Sequence, residues 1–338
     1  MIENYNGIAE DTRTEENKAK DFIHEELFAS APAPKWEERE SKKYPIFNQD
    51  GSSACVAFAT AKILGIDEVV EGREFVALSP RDIYTRRDNK NNGGMFLPNA
   101  LDIARKHGAT LESLVPSENR NEADQNRTDD ISFETDDIAL KYKSAGFVSL
   151  PLNIDSIAAI TSQGKGVLLG HRFDYSEWTD YPKVDPNSKL TCGHGTAGVD
   201  NILINGKKYI VMDDSWGPHQ AKFGQRFLDE EWINKRCFYA GYTINFIYED
   251  KTDNAIKPLH TFHSFIKFGD RNADVVALQM ILKYEGMFPL NVDCTGLYGP
   301  VTQKGVLLFQ NKYLGTNNKG KQVGPQTLKK LNELYGKN

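Results

Sequence analysis

Three separated segments of the 338-residue sequence carry residue types that could perform nucleophilic chemistry. In the first, a polar, glycine-containing turn after Gln49 leads to Cys55, where an apolar helix is predicted to begin. A thiol at a helix N-terminus faces the positive end of the helix dipole, which favours the nucleophilic thiolate. Taken alone, Cys55 is more simply interpreted as a buried structural cysteine, because free cysteine is among the most buried residue types.

The other two segments are equally weak when each is taken by itself. His194 lies in a run of small residues at the start of a predicted strand, and the sequence holds six other histidines. Cys192 and His194 could ligate zinc, but two ligands without a second pair are weak evidence for a metal site. Asp214 belongs to a DSWG run that follows another predicted strand. The sequence therefore indicates no metal and no cofactor.

Together, and in this order, the segments resemble the papain-like cysteine peptidases. Gln49 stands six residues before Cys55, and Asp214 stands twenty residues after His194. The 49–58 run is similar to the family's Q-x-x-x-x-x-C-W-A-F signature, and DSWG is similar to its N-S-W-G. The 91–94, 78–80 and 33–36 stretches also resemble family motifs, so that the likeness covers about residues 33–249.

The resemblance implies a role for each of four residues. Cys55 would be the nucleophile, and His194 would form an ion pair with it and then protonate the leaving amine. Asp214, at the family's Asn position, would orient the imidazole. The side-chain amide of Gln49 and the backbone N–H of Cys55 would form the oxyanion hole.

Four further residues are implied to line the substrate cleft. Gly93 and Gly94 would let an extended substrate backbone approach and pair. Trp216 would shield the hydrogen bond between the histidine and the aspartate from water. Gly195 would leave the wall beside the histidine without a bulky side chain.

The sequence departs from the family pattern at several positions. Asp214 replaces Asn, so a carboxylate would face the imidazole, stabilise the imidazolium and raise the pKa of His194. Val56 replaces the tryptophan beside the nucleophile. Ser52 and Asn91 stand where relatives usually have disulfide cysteines, which fits a fold made in a reducing compartment.

The order of elements predicts an α+β fold, because helices come first and strands later. The resemblance makes it a two-lobed papain-like fold, with a helical lobe and a β-barrel-like lobe. Helices are predicted over 54–64 and 99–107. Strands are predicted over 166–169, 197–204, 209–212 and 242–248.

Residues 262–338 form a distinct segment with ten Lys/Arg against five Asp/Glu, a net charge of +5. Three short helices around a small core are predicted there, over 274–283, 302–313 and 327–334, with Asp274 capping the first. Its glycine, aromatic and aliphatic pattern resembles the three-helix peptidoglycan-binding domains. The basic surplus would suit an anionic wall polymer, although a solvated lysine face is the simpler interpretation of any single lysine.

The predicted organisation has four parts. Residues 1–31 form an acidic arm or short pro-segment with a short helix over 21–29, and 32–250 form the peptidase domain. A linker over 251–261 precedes the peptidoglycan-binding-like domain at 262–338. The whole chain carries −6, which gives no support to nucleic-acid binding, and no apolar run approaches the ~18 residues that span a bilayer. The polar start does not resemble a signal peptide.

Three functions follow as expectations. The first is a cysteine peptidase that acts on peptide or protein and is held at bacterial peptidoglycan by residues 262–338, as a phage-type lysin would be, at the wall or on a virion. The second is a protein-degrading protease that the C-terminal domain merely localises. The third is a non-catalytic wall-binding protein with a peptidase fold, which only Val56 and Asp214 support.

Overall fold

The computed structural model describes residues 7–9, 22–23, 33–144, 146–244, 257–289, 292, 294–315 and 319–336. Among them, one compact unit ends at residue 244 and a second begins at residue 257. The predicted domain boundary at 250 and most of the predicted linker lie outside the described residues. No described helix is long and apolar enough to cross a membrane.

The helical part of the first unit is built around one central helix, α1 (Cys55–Val70). Its residues from Cys55 to Glu68 are all buried, which explains why its sequence is apolar and rich in alanine rather than amphipathic. Ser79 caps the next helix by accepting a hydrogen bond from the backbone N–H of Asp82. The further helices are α2 (Pro80–Tyr84), α3 (Leu97–Lys106), α4 (Glu122–Gln125) and α5 (Phe133–Ala139).

The second part of this unit is a seven-stranded sheet with the order β1-β2-β7-β3-β4-β5-β6. All neighbouring strands are antiparallel except β1 and β2. Helices α6 (Ile154–Thr161) and α7 (Glu230–Arg236) accompany it. The strands are β1 (Phe22–Ile23), β2 (Gly146–Ser149), β3 (Val167–Phe173), β4 (Cys192–Ile204), β5 (Lys207–Asp213), β6 (Gln225–Leu228) and β7 (Cys237–Ile244).

The α+β prediction is confirmed. The predicted helices over 54–64 and 99–107 correspond to α1 and α3, and the predicted strands to β3, β4, β5 and β7. Residues 245–248 of the last predicted strand lie outside the described residues. The helix predicted over 21–29 is wrong at Phe22–Ile23, which form β1, and its other residues lie outside the described part.

Strand β4 begins five residues earlier than the sequence predicted, at Cys192 rather than at Ala197. Its first residues are glycine-rich, which usually indicates a turn. Here the glycines permit close approach to α1, since a Cβ on Gly195 would lie 2.8 Å from Cγ2 of Val56. The small residues therefore bring the strand against the helix that carries the cysteine.

In the part of the second unit that the structure describes, three helices pack around one apolar core. They are α8 (Ala273–Tyr284), α9 (Pro300–Leu314) and α10 (Pro325–Tyr335), joined by a short ladder between β8 (Ile266–Lys267) and β9 (Gln322–Val323). The predicted cap of the first helix is wrong. Asn272 accepts from the backbone N–H of Val275, because the chain begins the helix one residue before Asp274, whose carboxylate instead bonds to His260.

Candidate active site

Cys55 is the first residue of α1 and is completely buried. The backbone N–H of Gly195 on β4 donates a hydrogen bond of 3.3 Å to its Sγ. The turn before it is held by the carbonyl of Gln49, which accepts from both the backbone N–H and the hydroxyl of Ser52. The side chain thus lies at a helix N-terminus, in contact with the strand that carries His194.

His194 on β4 interacts with both Asp214 and Cys55. A hydrogen bond of 2.8 Å links its Nε2 to Asp214 Oδ1, and Cys55 lies close enough to raise the pKa of the imidazole. Burial alone would lower the pKa of His194, but the Asp214 carboxylate and Cys55 outweigh it and raise that pKa to about 9. The imidazole is therefore held in its protonated form across the neutral range.

Asp214 follows the last residue of β5 and is almost completely buried. Its Oδ1 bonds to His194, and its Oδ2 accepts 2.8 Å from Nε of Arg226 and 3.0 Å from Nε1 of Trp178. Burial would raise the pKa of Asp214, but His194 and Arg226 together hold it below its ordinary value. The carboxylate is therefore an ionised acceptor.

The neighbouring Asp213 is also buried but points into different surroundings. Its carboxylate bonds to Lys62, at 3.2 Å, and to the side-chain amide of Gln225. Successive residues of a strand face opposite sides of the sheet, so only one of the two aspartates reaches the histidine. The structure thus distinguishes two carboxylates that composition alone cannot separate.

Arg226 and Trp178 are site residues that the sequence analysis missed. Arg226 lies on β6, whose register pairs it with Met212 of β5, and Trp178 follows a short 3₁₀ turn after β3. The only sequence signal was a charged residue within the strand-like run Gln225–Leu228. The role of a single buried arginine cannot be predicted from the sequence before its partner is known.

The side chain of Gln49 is fixed at both ends. Its Nε2 donates 2.5 Å to the carbonyl of Ser52, and its Oε1 accepts 2.5 Å from the hydroxyl of Ser215. The residue is 5% exposed and lies in the turn that leads to Cys55. One amide hydrogen is engaged by Ser52, and the second can serve another acceptor.

Two indole rings enclose the imidazole of His194. The Trp216 ring lies 4.9 Å from it between centroids, and the Trp178 ring lies 5.6 Å away, edge-on at 86°. Trp216 is half-buried, whereas Trp178 is buried and stacks on Phe173. Between these rings, the His194 side chain is almost completely buried.

The three glycines predicted to line the cleft have different environments. Gly93 is exposed and lies beside Ser53, while Gly195 is buried and donates to the cysteine sulfur. The backbone N–H of Gly94 bonds to Tyr84 Oη, and its carbonyl accepts from Asn89. The backbone groups of Gly94 are therefore already paired, so that a peptide in the cleft must use its neighbours.

A segment of the chain itself occupies the cleft. Residues 7–9, here called the cleft segment, lie between the helical part and the sheet. Gly7 donates from its N–H to the carbonyl of Gly193 at 3.0 Å, and its carbonyl accepts from Met95 N–H at 3.0 Å. Ala9 N–H donates to the carbonyl of Met95 at 3.1 Å. The cleft segment therefore runs parallel to the chain around Met95.

The cleft segment covers the cysteine. A Cβ added to Gly7 would overlap Sγ of Cys55, so only glycine fits at this point. The next side chain, Ile8, is buried among the apolar residues of the first unit's core. The carbonyl of Gly7 is engaged by Met95 rather than by the Gln49 amide, so the segment is not bound as a peptide poised for cleavage.

Comparison with known proteins finds no matching family model. Mexicain from Jacaratia mexicana is 27% identical over 188 residues, 53% of this chain and 80% of its own length. Chymopapain from Carica papaya is 25% identical over 235 residues, 68% of this chain and 64% of its own length.

Two solved structures share the fold at low sequence identity. Xylellain, a cysteine protease from Xylella fastidiosa, superposes with a TM-score of 0.60 over 71% of this chain and 96% of its own, at 16% identity. Digestive procathepsin L 3 of Tenebrio molitor gives 0.52 over 71% and 76%, at 19% identity. These likenesses show that the first unit has the papain-like fold.

Proposed function

We propose that this chain, which is a papain-like cysteine endopeptidase, cleaves peptide bonds with Cys55 as nucleophile and His194 as its acid–base partner. The observation that carries the proposal is the arrangement of three buried groups: Cys55 lies beside His194 and raises its pKa, and the Asp214 carboxylate is hydrogen-bonded to the same imidazole. A nucleophile, a base and a group that orients the base are the components of such a site.

The steps follow from this geometry. The Cys55 thiolate attacks the carbonyl carbon of the peptide, and the carbonyl oxygen becomes an oxyanion. The His194 imidazolium donates its proton to the amine, the carbon–nitrogen bond breaks, and a thioester remains on Cys55. The neutral imidazole then takes a proton from water, whose oxygen attacks the thioester and releases the acid and the thiolate.

The oxyanion requires donors beside the nucleophile. In the proposal, the second amide hydrogen of Gln49 and the backbone N–H of Cys55 supply them. The two hydrogen bonds from Ser215 and to Ser52 prevent rotation of the Gln49 amide, so the donor is already oriented before the substrate binds. Trp216 and Trp178 keep water away from the imidazole.

The described state has a closed cleft. Because Gly7 occupies the space next to Cys55 Sγ, a substrate carbonyl can reach the sulfur only after the cleft segment has moved. When the segment is displaced, the backbone groups of Met95 and Gly193 that it now pairs with become available to a substrate. In the proposal, residues 7–9 therefore restrain the activity of the free enzyme.

Hydrolysis of a fluorogenic peptide library by the full chain tests the core of the proposal. Cys55→Ala is expected to abolish turnover, and Cys237→Ala is the matched control. Cys237 is also buried, but burial raises the pKa of its thiol to about 12, so it remains an unreactive thiol. Equal turnover in wild-type protein and Cys55→Ala would refute the role of Cys55.

The targeting part of the proposal rests on the second unit. The residue pattern of 262–338 and the net charge of +5 over those residues support binding to an anionic wall polymer, and the three helices pack on a single core as such a module requires. In this version, the enzyme cleaves peptide or protein at bacterial peptidoglycan. A reducing compartment for synthesis is part of the same proposal, since Cys55, Cys192 and Cys237 form no disulfide.

Purified sacculi separate this version from its alternative. Wild-type protein is expected to sediment with sacculi and to release new free amines, whereas Cys55→Ala is expected to sediment without release. Sedimentation without release, together with hydrolysis of casein, would favour a protein-degrading enzyme localised by its second unit. No sedimentation would remove the wall from the proposal.

The non-catalytic alternative has the least support. Val56 contacts Gly195, where its side chain fills the interface between α1 and β4, and Asp214 retains the bond to His194. Neither replacement disrupts the site. After removal of the cleft segment, a thiol-directed epoxide at neutral pH is expected to label Cys55 but not Cys237. An unreactive Cys55 in that protein would favour this alternative.

A further inference from the structure

The charge of Asp214 is balanced by a second buried ion. Nε of Arg226 donates 2.8 Å to Oδ2 of Asp214, and Nη1 donates 2.8 Å to the carbonyl of Trp178. The exposed fraction of the side chain is 4% for Arg226 and 0% for Asp214. Neither of these hydrogen bonds joins Arg226 to Cys55. Any effect of Arg226 on the chemistry therefore acts through Asp214.

The arginine is held in place independently of the carboxylate. Its guanidinium lies over the rings of Trp178, at 5.1 Å, and Trp216, at 5.5 Å, the two rings that enclose His194. The register of β5 and β6 places Arg226 opposite Met212, two residues before Asp214. The backbone N–H of Asp214 is fixed by the carbonyl of Gly224. Ion pair and rings thus form one rigid assembly around the imidazole.

A buried carboxylate without a counter-charge would bind the imidazolium too strongly. Desolvation makes an isolated buried ion costly, and attraction between two charges is large where water is excluded. A carboxylate paired with a guanidinium keeps an oxygen acceptor for the imidazole while its net charge is zero. In this respect the pair resembles a neutral side-chain amide.

We propose that Arg226 is a positioning residue that offsets part of the charge of Asp214, and so limits how tightly the carboxylate holds the His194 imidazolium while leaving it an oxygen acceptor. This role rests on the proposed function of the site. It explains how a carboxylate can stand where the resemblance implies asparagine without raising the pKa of His194 further, so that the imidazolium can still give its proton to the leaving amine.

The other groups that face His194 do not provide this balance. On β3, His171 is paired with His194 in register, but burial lowers its pKa to about 3, so that it is neutral. Its Nε2 bonds to Thr196, and its Nδ1 accepts from Trp232. On α1, Cys55 raises the pKa of His194 and therefore does not offset the effect of Asp214. Arg226 is therefore the positive charge that faces Asp214 in the described contacts.

The test compares four full-length proteins by NMR titration of His194, whose signal is identified by its absence from His194→Asn. Relative to wild type, Arg226→Met is expected to raise the pKa of His194 by about one unit or more, because the carboxylate then acts on the imidazolium alone. Asp214→Asn is expected to lower it, because a buried guanidinium remains unpaired. The double variant is expected to lie between the two single variants, near wild type.

The same variants give a matched kinetic readout. The alkaline limb of kcat/KM should move in the same order, and the double variant should be more active than either single variant. Coincident titrations of wild type and Arg226→Met, or a double variant no better than the singles, would overturn the proposal and leave Arg226 a structural residue.

Charge compensation also predicts which variants fold. If Arg226→Met does not fold, the double variant is expected to fold, because it buries no unpaired charge. A double variant that unfolds as readily as the single one would contradict charge compensation. The titration uses no substrate, so an absence of peptide hydrolysis by wild-type protein would refute the proposed function without changing this order of pKa values.

Discussion

The backbone of Gly7 lies against Sγ of Cys55 so closely that a side chain of any size at position 7 would overlap the sulfur. Three backbone hydrogen bonds, to Met95 and Gly193, hold the cleft segment there. The residue that the sequence singled out as the nucleophile is therefore covered by a part of the chain to which the sequence assigned no chemistry.

Substitution of Gly7 is expected to open the cleft. Gly7→Ala adds a Cβ for which there is no room, so the cleft segment should leave and peptide hydrolysis should rise by about tenfold or more, equivalent to about 1.4 kcal/mol lost from the closed state. Initial rates on a fluorogenic peptide measure this. Gly324→Ala is the control, because its Cβ would meet no atom closer than 3.6 Å. An unchanged rate for Gly7→Ala would mean that the segment does not restrain the enzyme.

The pH profile should carry a late alkaline limb. Because Asp214 and Cys55 raise the pKa of His194 from 6.5 to about 9, the imidazolium persists through neutral pH and is lost only as the pH rises through about 9. The measurement is kcat/KM against pH, with His263→Asn in the second unit as the control that should not move the limb. An alkaline limb near pH 6.5 would contradict the raised pKa of His194.

Gln49→Glu should reduce turnover without unfolding the protein. The substitution preserves the shape of the side chain but replaces the amide donor with a carboxylate that cannot stabilise an oxyanion. We expect kcat to fall by about 10²–10³ with little change in KM. Gln163→Glu, in the turn after α6, is the matched control. If turnover is lost only because the melting temperature falls, or if KM alone changes, Gln49 has a structural role and does not stabilise the oxyanion.

Asp67 provides a prediction about stability. It is buried on α1, and desolvation raises its pKa to about 7, although Lys165 and a hydrogen bond from Thr243 oppose the shift. A native pKa above the unfolded one means that the folded protein binds the extra proton, so this group lowers the free energy of unfolding as the pH rises from about 4 to 7.

Asp67→Asn should therefore raise the melting temperature by several degrees at pH 8 and by little at pH 4. Thermal unfolding of both proteins at the two pH values measures the difference. Asp137→Asn, in an exposed position, should have no such pH-dependent effect. Equal changes at both pH values would contradict the raised pKa of Asp67.

The agreement between sequence and structure is closest where the signal is local. The helix after Cys55, the strands around His194 and the three helices of the second unit follow from short-range apolar patterns, which depend on neighbouring residues alone. The start of β4 differs because it depends on a contact between distant segments. Glycines at the start of β4 favoured a later start for the strand, whereas their role is to admit Val56 of a distant helix.

Arg226 shows why the rest of the site could not be predicted. It meets Asp214 because β6 pairs with β5 in one register, and a shift of one residue would turn the guanidinium to the other face. Register depends on turn geometry and on packing against the whole sheet. The same applies to Trp178, which reaches Asp214 from a different part of the chain.

The sequence by itself determined the residue types of the site, their order and the helix start that exposes Cys55 to a helix dipole. Only the tertiary structure decided which aspartate meets His194, which cation balances it and which backbone covers the sulfur. The reason is physical: residue identity and periodicity are encoded within a few neighbours, whereas the contacts of Gly7 with Cys55 and of Arg226 with Asp214 depend on the folding of distant segments against one another.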